Sequence, residues 1–306
     1  MEPPFGGGVE EKYKKMMTHH ARLNLIMFAT IAGLMVFIYF RPQSQDIQEY
    51  SVSSGSVEGV QSLRIVRQQQ EIILKRLDNR WHLIKPVQAR ADEKKVSDIL
   101  QILAATSNQR FSLEDLERFD LDQPNVQLYI DDEYFGFGGF APTTHQQYVA
   151  TGDHVYLISP RYVLALPSSA SDLISPELLA SNEIPVRFEL NHLTVELQNE
   201  SWHVTMQHSR EVLDKEAIKY WTQLWQTTHA GAVTLGQEFG SDFIEKDFIK
   251  ISLQDGQKIN LKILQSEAEI VFLRVNDGIG YHFSVDAGQQ LLNSYVTKIN
   301  QMMPEN

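Results

Sequence analysis

An uninterrupted apolar segment constrains the fold of this chain more than any other feature. It covers residues 23–40 (LNLIMFATIAGLMVFIYF), carries no charged side chain and is bounded by Arg22 and Arg41. At the rise of an α-helix the segment spans roughly 27 Å, close to the thickness of a bilayer hydrocarbon core. No small-residue cleavage site follows it, so we predict an uncleaved signal anchor that crosses the membrane once. The alternative, a buried core helix, would have to be apolar on all its faces.

The distribution of basic residues predicts the orientation of this anchor. Four lysines or arginines lie within residues 1–22, whereas Arg41 is the only basic residue between the segment and Arg64. Basic residues favour the cytoplasmic side of a membrane. We therefore expect a cytoplasmic tail over residues 1–22, a transmembrane helix over 23–40 in the inner membrane, and a periplasmic remainder. Ala29 and Gly33 form a small-xxx-small pair that could bring two such helices together as a homodimer.

The residues after the anchor are strongly acidic. Beyond Arg41 the chain has 22 basic and 36 acidic residues, and 22 minus 36 gives a formal charge of -14. Such a surface is unfavourable for nucleic acid and for an anionic membrane. Residues 41–60 are polar and contain serine and glycine, so we predict a linker there. The absence of cysteine excludes disulfides, thiolate metal sites and thiol catalysis.

An internal repeat predicts the architecture of the remainder. The segment LDNRWHL at residues 77–83 returns as LQNESWHV at 197–204, which places Trp81 and Trp202 121 residues apart (202 minus 81). We predict an α+β fold of two duplicated lobes over residues 61–180 and 181–306. Each lobe would combine antiparallel strands with one packed amphipathic helix. Ser175 and Pro176 predict a short helix over 176–180 at the joint.

Helical and strand periodicities recur at similar positions in both predicted lobes. Asp92 and Asp214 stand near the starts of the two amphipathic helices, where a carboxylate can cap free amides. The apolar helix positions are Val96, Ile99, Leu100 and Leu103 in the first lobe and Ile218, Trp221, Leu224 and Trp225 in the second. Alternating strand positions are Val126, Leu128 and Ile130, then Ile249, Ile251 and Leu253, then Ile259, Leu261 and Ile263.

Several of these segments together resemble the bacterial domain-of-unknown-function 4340 family. They are the run from Arg80 to Pro86 with the helix after it, residues 111–124 (FSLEDLERFDLDQP), the strand YFGFG at 134–138, QYV at 147–149 and VYL at 155–157. The resemblance implies a membrane-anchored envelope protein, often found beside gliding-type ABC transporter components. It carries over no catalytic residues. Asp120 stands where relatives tend to have glycine, which puts a left-handed backbone there in question.

No contiguous motif for chemistry is present, and we expect no catalytic, cofactor or metal residues. The glycines of residues 136–139 lack the Lys-Ser/Thr ending of a phosphate loop and favour a bulged strand. An exposed contact patch of Phe135, Phe137 and Phe140 is the alternative interpretation. His203 and His208 have odd spacing, which on a strand points them to opposite faces and disfavours a shared metal. No Gly-x-Ser-x-Gly elbow occurs.

These observations predict a non-enzymatic, membrane-anchored accessory protein that docks onto membrane proteins, with an ABC-type transporter permease or gliding-type component as the implied partner. One alternative is a periplasmic module that binds a glycan, lipid or peptide in the cleft between the lobes. A second is a hydrolase whose residues are scattered along the sequence. That alternative requires a histidine, a carboxylate and a hydroxyl within hydrogen-bond reach of one another.

Overall fold

The computed structural model describes residues 9–40, 48–191, 193–206, 215–236 and 239–292. The chain divides into two compact units, with the boundary between Gln48 and Glu49. The described residues of the first unit form a single helix. The second unit contains all the described strands.

The helix of the first unit is α1 (Val9–Tyr39). Its segment His20–Tyr39 has a mean hydropathy of 1.9 and no buried side chain, and it is a candidate membrane span by length and composition. Within this segment the Thr30 hydroxyl donates to the Ile26 carbonyl at 2.8 Å, so the polar side chain is satisfied by its own helix. The prediction of one apolar helix that is long enough to span a membrane is therefore confirmed for the described residues.

The second unit is built from nineteen described strands and four described α-helices. The helices are α2 (Glu93–Leu100), α3 (Arg161–Leu164), α4 (Lys215–Thr227) and α5 (Val285–Leu292). The strands are β1 (Tyr50–Ser51), β2 (Ser62–Arg67), β3 (Gln70–Leu77), β4 (Arg80–Lys85), β5 (Ala89–Arg90), β6 (Thr106–Ser107), β7 (Arg110–Ser112), β8 (Val126–Ile130), β9 (Glu133–Phe140), β10 (Gln147–Thr151), β11 (His154–Ile158), β12 (Pro185–Glu189), β13 (Leu193–Gln198), β14 (Ser201–Met206), β15 (Ala232–Leu235), β16 (Ile244–Leu253), β17 (Lys258–Gln265), β18 (Glu269–Arg274) and β19 (Ile279–Ser284).

The strands form two large antiparallel sheets and one small pair. The first sheet has the order β5-β4-β3-β2-β8-β9-β10-β11-β7, and the second has the order β14-β13-β12-β16-β17-β18-β19-β15. Apart from β5, each strand of the first sheet has a strand at the same place in the second. This mostly antiparallel arrangement with few helices confirms the predicted α+β class.

The hairpin that carries each repeated tryptophan has the same geometry in both sheets. Asp78 and Asn79 connect β3 to β4 with φ values of 48° and 63°, and Asn199 and Glu200 connect β13 to β14 with 48° and 64°. Two consecutive positive φ values define the type I′ turn that suits the right-handed twist of a two-residue hairpin.

Helices α2 and α4 pack through the apolar positions that periodicity predicts. Val96, Ile99 and Leu100 of α2 are buried, and Leu103 follows in a short 3-10 helix. Asp92 caps α2, because its carboxylate accepts hydrogen bonds from the backbone amides of Lys94 at 3.0 Å and Lys95 at 3.2 Å. On α4, Ile218, Trp221 and Trp225 are buried and Leu224 packs against the core. Asp214 lies outside the described residues.

The strand predictions agree with the structure at their apolar positions. Alternate residues from Val126 to Ile130 are buried in β8, and the same alternation holds for Ile249–Leu253 in β16. In β17, Ile259, Leu261 and Ile263 are buried. Most buried side chains of both sheets belong to one continuous hydrophobic cluster, and Ala150 and Val155 of the first sheet belong to a second, smaller one.

The structure differs from the predicted linker over residues 41–60. Tyr50 and Ser51 pair with β6 as a short strand, and Val52 and Val60 are buried. This part of the segment is therefore packed into the folded unit, because two of its few apolar residues are covered there. Residues 41–47 lie outside the described part of the chain.

The predicted helix over residues 176–180 is wrong. Glu177 makes an extended bridge with His229, and the side chains of Leu178 and Leu179 are both buried. The carbonyls of Glu177 and Leu178 accept hydrogen bonds from arginine side chains of the two sheets, so tertiary contacts replace the bonds that a helix would supply.

Candidate functional site

The predicted phenylalanine patch is not a surface of the folded domain. Phe135 and Phe137 are 0% and 2% exposed and belong to the hydrophobic core, whereas Phe140 is 57% exposed. The reason is the strand period of two, which points Phe135 and Phe137 to the same covered face of β9. The predicted three-residue contact patch therefore needs correction, because Phe140 alone of the three is available to a partner.

The predicted bulge in this strand is confirmed. The register between β9 and β10 shifts between the pairs Gln147–Phe140 and Val149–Phe137. At Gly138 a side chain is excluded, because a Cβ there would lie 2.2 Å from the carbonyl oxygen of Phe119. The glycines thus serve close packing of a loop on the sheet and not a phosphate cradle.

Two arginines bind the segment that connects the two sheets, over residues 177–183. Arg90 of the first sheet donates to the Glu177 carbonyl at 2.6 Å. Arg274 of the second sheet donates to the Leu178 carbonyl at 3.1 Å and forms a two-pronged ion pair with Glu183. The side chains of Arg274 and Glu183 are only 12% and 18% exposed.

Burial and nearby charges shift the pKa values of the junction residues in opposite directions. Burial alone would raise the pKa of Glu183, but the hydrogen bond and charge of Arg274 outweigh it and lower that pKa below its ordinary value. Burial raises the pKa of Tyr281, although the positive charges of Arg90 and Arg274 oppose this. The junction is a structural clamp whose charges are paired with one another.

Two grooves of moderate size lie outside this junction. One of about 660 Å³ is bordered by Lys95, Asp98, Arg161 and Leu164. Another of about 670 Å³ is bordered by Glu133, Thr151, His154 and residues 51–55. Neither is lined by side chains from both sheets, so neither is the cleft that the ligand-binding alternative requires.

A row of three polar side chains lies on neighbouring strands of the second sheet. His282 on β19 has its Nδ1 3.0 Å from Glu269 Oε2 on β18. Its Nε2 lies 2.9 Å from Thr234 Oγ1 on β15. This is the juxtaposition of carboxylate, imidazole and hydroxyl that the hydrolase alternative requires. No local pattern in the sequence indicates these residues, because the sheet order brings together positions up to 48 residues apart.

The histidines considered for metal binding do not form a site in the described structure. His203 lies on β14, and His208 is outside the described residues. Among the residues that are described, no group of three or more histidine, aspartate or glutamate side chains is placed to hold a metal ion.

The chain matches a known protein family. The family described as "Domain of unknown function (DUF4340)" matches residues 81–234. The chain belongs to this family. Its matched region begins at Trp81 in the first sheet and ends at Thr234 in the second, so it includes the arginine-clamped connector. The comparisons with curated proteins and with solved structures found no match.

Proposed function

We propose that this protein of the DUF4340 family is a single-pass envelope protein whose folded domain docks onto other membrane proteins. In this proposal α1 crosses the inner membrane, residues 1–22 are cytoplasmic, and the two-sheet domain is periplasmic. The observation that carries the proposal is the segment His20–Tyr39, which has no buried side chain. An apolar helix that its own chain leaves uncovered finds its most favourable environment in lipid.

The outer face of the first sheet supports a docking role. The rings of Tyr129 and Tyr134 lie 5.1 Å apart, and the guanidinium of Arg64 stacks 3.7 Å from the centre of the Tyr129 ring. The Arg64 side chain is 42% exposed. Tyrosine and arginine are the residue types most enriched at the energetic centres of protein interfaces. The expected occupant is the periplasmic part of a membrane protein, and an ABC-type permease is the first partner to test.

We further propose that the two sheets arose by internal duplication. Three observations support this: the matching strand order, the two type I′ hairpins and the equivalent positions of Trp81 and Trp202 in them. Trp81 pairs across its hairpin with Arg76, and Trp202 pairs with Leu197. In both hairpins the partner lies five residues before the tryptophan, so the two tryptophans occupy the same position relative to the turn.

Single cysteines test the proposed orientation, because the natural chain has none. In spheroplasts, a membrane-impermeant maleimide should label Ser56→Cys directly. It should label Glu11→Cys only after the membrane is permeabilised. Labelling in the reverse order would overturn the proposed topology.

Site-specific photocrosslinking tests the docking face. Benzoylphenylalanine at Tyr134 should produce an adduct that contains a specific permease, identified by mass spectrometry and reproduced when the permease is the purified bait. The matched control places the same group at Asp255, an exposed turn residue of the second sheet. The same adducts from both positions, or none from Tyr134, would contradict docking through this face.

The homodimer is a separate proposal and rests on the small residues of α1. Gly33 has no atom near the position a Cβ would occupy, so the helix surface there is open to close approach. Gly33→Ile should abolish a chemically crosslinked dimer in native membranes, while Ile38→Val on the opposite side of the helix should not. Equal dimer yields from both variants would contradict packing through Ala29 and Gly33.

A further inference from the structure

We propose that Thr234, His282 and Glu269 form a hydrolytic centre for carboxylic esters. Thr234 is the nucleophile, His282 the general base, and Glu269 the residue that positions the imidazole. This goes beyond the proposed docking function and replaces the expectation of a non-enzymatic protein. The distances of 3.0 Å from Glu269 to His282 and 2.9 Å from His282 to Thr234 lie within normal hydrogen-bond range.

The order of the three groups determines the direction of the hydrogen bonds. An ionised carboxylate can only accept a hydrogen bond, so Nδ1 of His282 carries a proton and donates the hydrogen bond to Glu269. In the neutral imidazole Nε2 then has a free lone pair and accepts from the Thr234 hydroxyl. This is the arrangement that a general base needs in order to remove a proton from a nucleophile.

The fold by itself does not require polar residues at these positions. Counting from the residue pair next to each hairpin turn, Leu157 of β11 occupies the place that His282 has in β19. Phe111 of β7, opposite Val155, occupies the place of Thr234, which is opposite Gly280. In the first sheet this surface is apolar: Phe111 contacts Phe119 at a ring distance of 5.5 Å. At the corresponding place the second sheet has a hydrogen-bonded row of polar side chains instead of an apolar cluster.

Gly280 and the aromatic ring of Phe239 lie beside Thr234. A Cβ at Gly280 would lie 2.9 Å from Thr234 Oγ1 and 3.0 Å from the Phe239 ring, so a larger residue would crowd the nucleophile. The Phe239 ring lies 6.2 Å from the His282 ring and 5.6 Å from that of Phe243. An apolar acyl group is the chemistry that fits against these aromatic rings.

The proposed reaction has two balanced halves. Thr234 Oγ attacks the ester carbonyl carbon while its proton passes to His282 Nε2. The bond from that carbon to the alcohol oxygen breaks, and the imidazolium returns the proton to the leaving alkoxide. Water then attacks the acyl-threonine and gives a proton to Nε2, the bond to Oγ breaks, and the proton returns to Thr234, which releases the carboxylic acid.

The test uses the full chain purified in detergent, with p-nitrophenyl butyrate as substrate and a fluorophosphonate as covalent probe. The wild type should hydrolyse the ester faster than heat-unfolded protein and carry the probe on Thr234. Thr234→Val and His282→Gln should each lose about 10²-fold or more in rate, the range of general-base contributions. Thr194→Val, a strand threonine of the same sheet, is the control and should keep the wild-type rate.

Two further variants separate catalysis from structure. Thr234→Ser keeps a hydroxyl and should keep measurable activity even if Thr234→Val fails to fold. Glu269→Gln should lower kcat and leave KM nearly unchanged, because the imidazole loses the carboxylate that orients it. Equal rates and labelling in wild type and Thr234→Val, an unchanged kcat in Glu269→Gln, or a wild type no faster than unfolded protein would overturn the proposal. None of these results depends on docking, which the crosslinking experiment tests alone.

Discussion

Both terminal nitrogens of the Arg274 guanidinium donate to the carboxylate of Glu183: Nη2 lies 2.9 Å from Oε1, and Nη1 lies 3.1 Å from Oε2. Glu183 lies in the connector before the second sheet, and Arg274 ends β18 within that sheet. The backbone amide of Ala180 also donates to the Glu183 carboxylate at 2.6 Å. The pair thus fixes the path of the chain between the sheets.

Removing one partner of this pair should destabilise the domain strongly. Arg274→Met leaves a largely buried carboxylate uncompensated, and such a change costs about 3–5 kcal/mol of unfolding free energy. Urea unfolding measures the loss. The control is Lys262→Met, whose ion pair with Glu245 is 37% and 56% exposed. That variant should lose less than about 1 kcal/mol. Similar losses in both variants would show that the junction pair is no stronger than a surface pair.

The same pair predicts a dependence of stability on pH. The pKa of Glu183 is lowered from its ordinary value of 4.5 in the folded chain. A carboxyl group of this kind contributes stability above its unfolded-state pKa, and the contribution is lost as the pH falls through its folded-state pKa. From neutral pH to below 4.5, the wild type should therefore lose more unfolding free energy than Glu183→Gln. Urea unfolding at a series of pH values gives the comparison, and parallel losses would refute it.

The three phenylalanines of β9 should separate into two classes. Phe135→Ala opens a cavity in the core and should cost about 3–5 kcal/mol of unfolding free energy. Phe140→Ala removes an exposed ring and should change stability by no more than about 0.5 kcal/mol. Thermal and urea unfolding of the two variants provide the measurement. A large loss for Phe140→Ala would mean that its ring is covered in the native protein.

Gly138 should tolerate no side chain, whereas Gly231 should tolerate alanine. A Cβ at Gly138 would lie 2.2 Å from the Phe119 carbonyl oxygen, while one at Gly231 would meet nothing closer than 3.8 Å. Gly138→Ala forces the loop off the sheet and should cost about 1–3 kcal/mol, the usual penalty for overpacking. Gly231→Ala serves as the control in the same unfolding assay. Equal stability of the two variants would contradict the close approach.

The cap of α2 should contribute measurably to stability. Asp92→Ala removes the acceptor for two backbone amides and should cost about 1 kcal/mol. Asp98→Ala on the same helix removes an exposed charge without removing the cap and is the matched control. Urea unfolding distinguishes them, and a cap effect no larger than that of Asp98→Ala would argue that other contacts hold the first turn.

The sequence predicted the structure correctly where one local pattern dominates. The alternation of Val126, Leu128 and Ile130 predicted a half-buried strand correctly, because the strand period alone decides which side chains face the core. It failed where a second element decides the outcome. Phe135 and Phe137 could be read as a patch because the sequence does not show what covers β9. Pro176 was assigned to a helix because the sequence does not show that arginines from two sheets bind the carbonyls of Glu177 and Leu178.

The sequence by itself determined the membrane-spanning candidate, the α+β class, the repeated tryptophan hairpin and the family, since each depends on residues that are close together in the chain. Only the tertiary structure decided that the connector is clamped by Arg90 and Arg274, and that Thr234, Glu269 and His282 meet. The physical reason is that antiparallel pairing joins strands in an order unlike their order in the sequence. Hydrogen bonds between side chains of different strands form only after that order and its register are set.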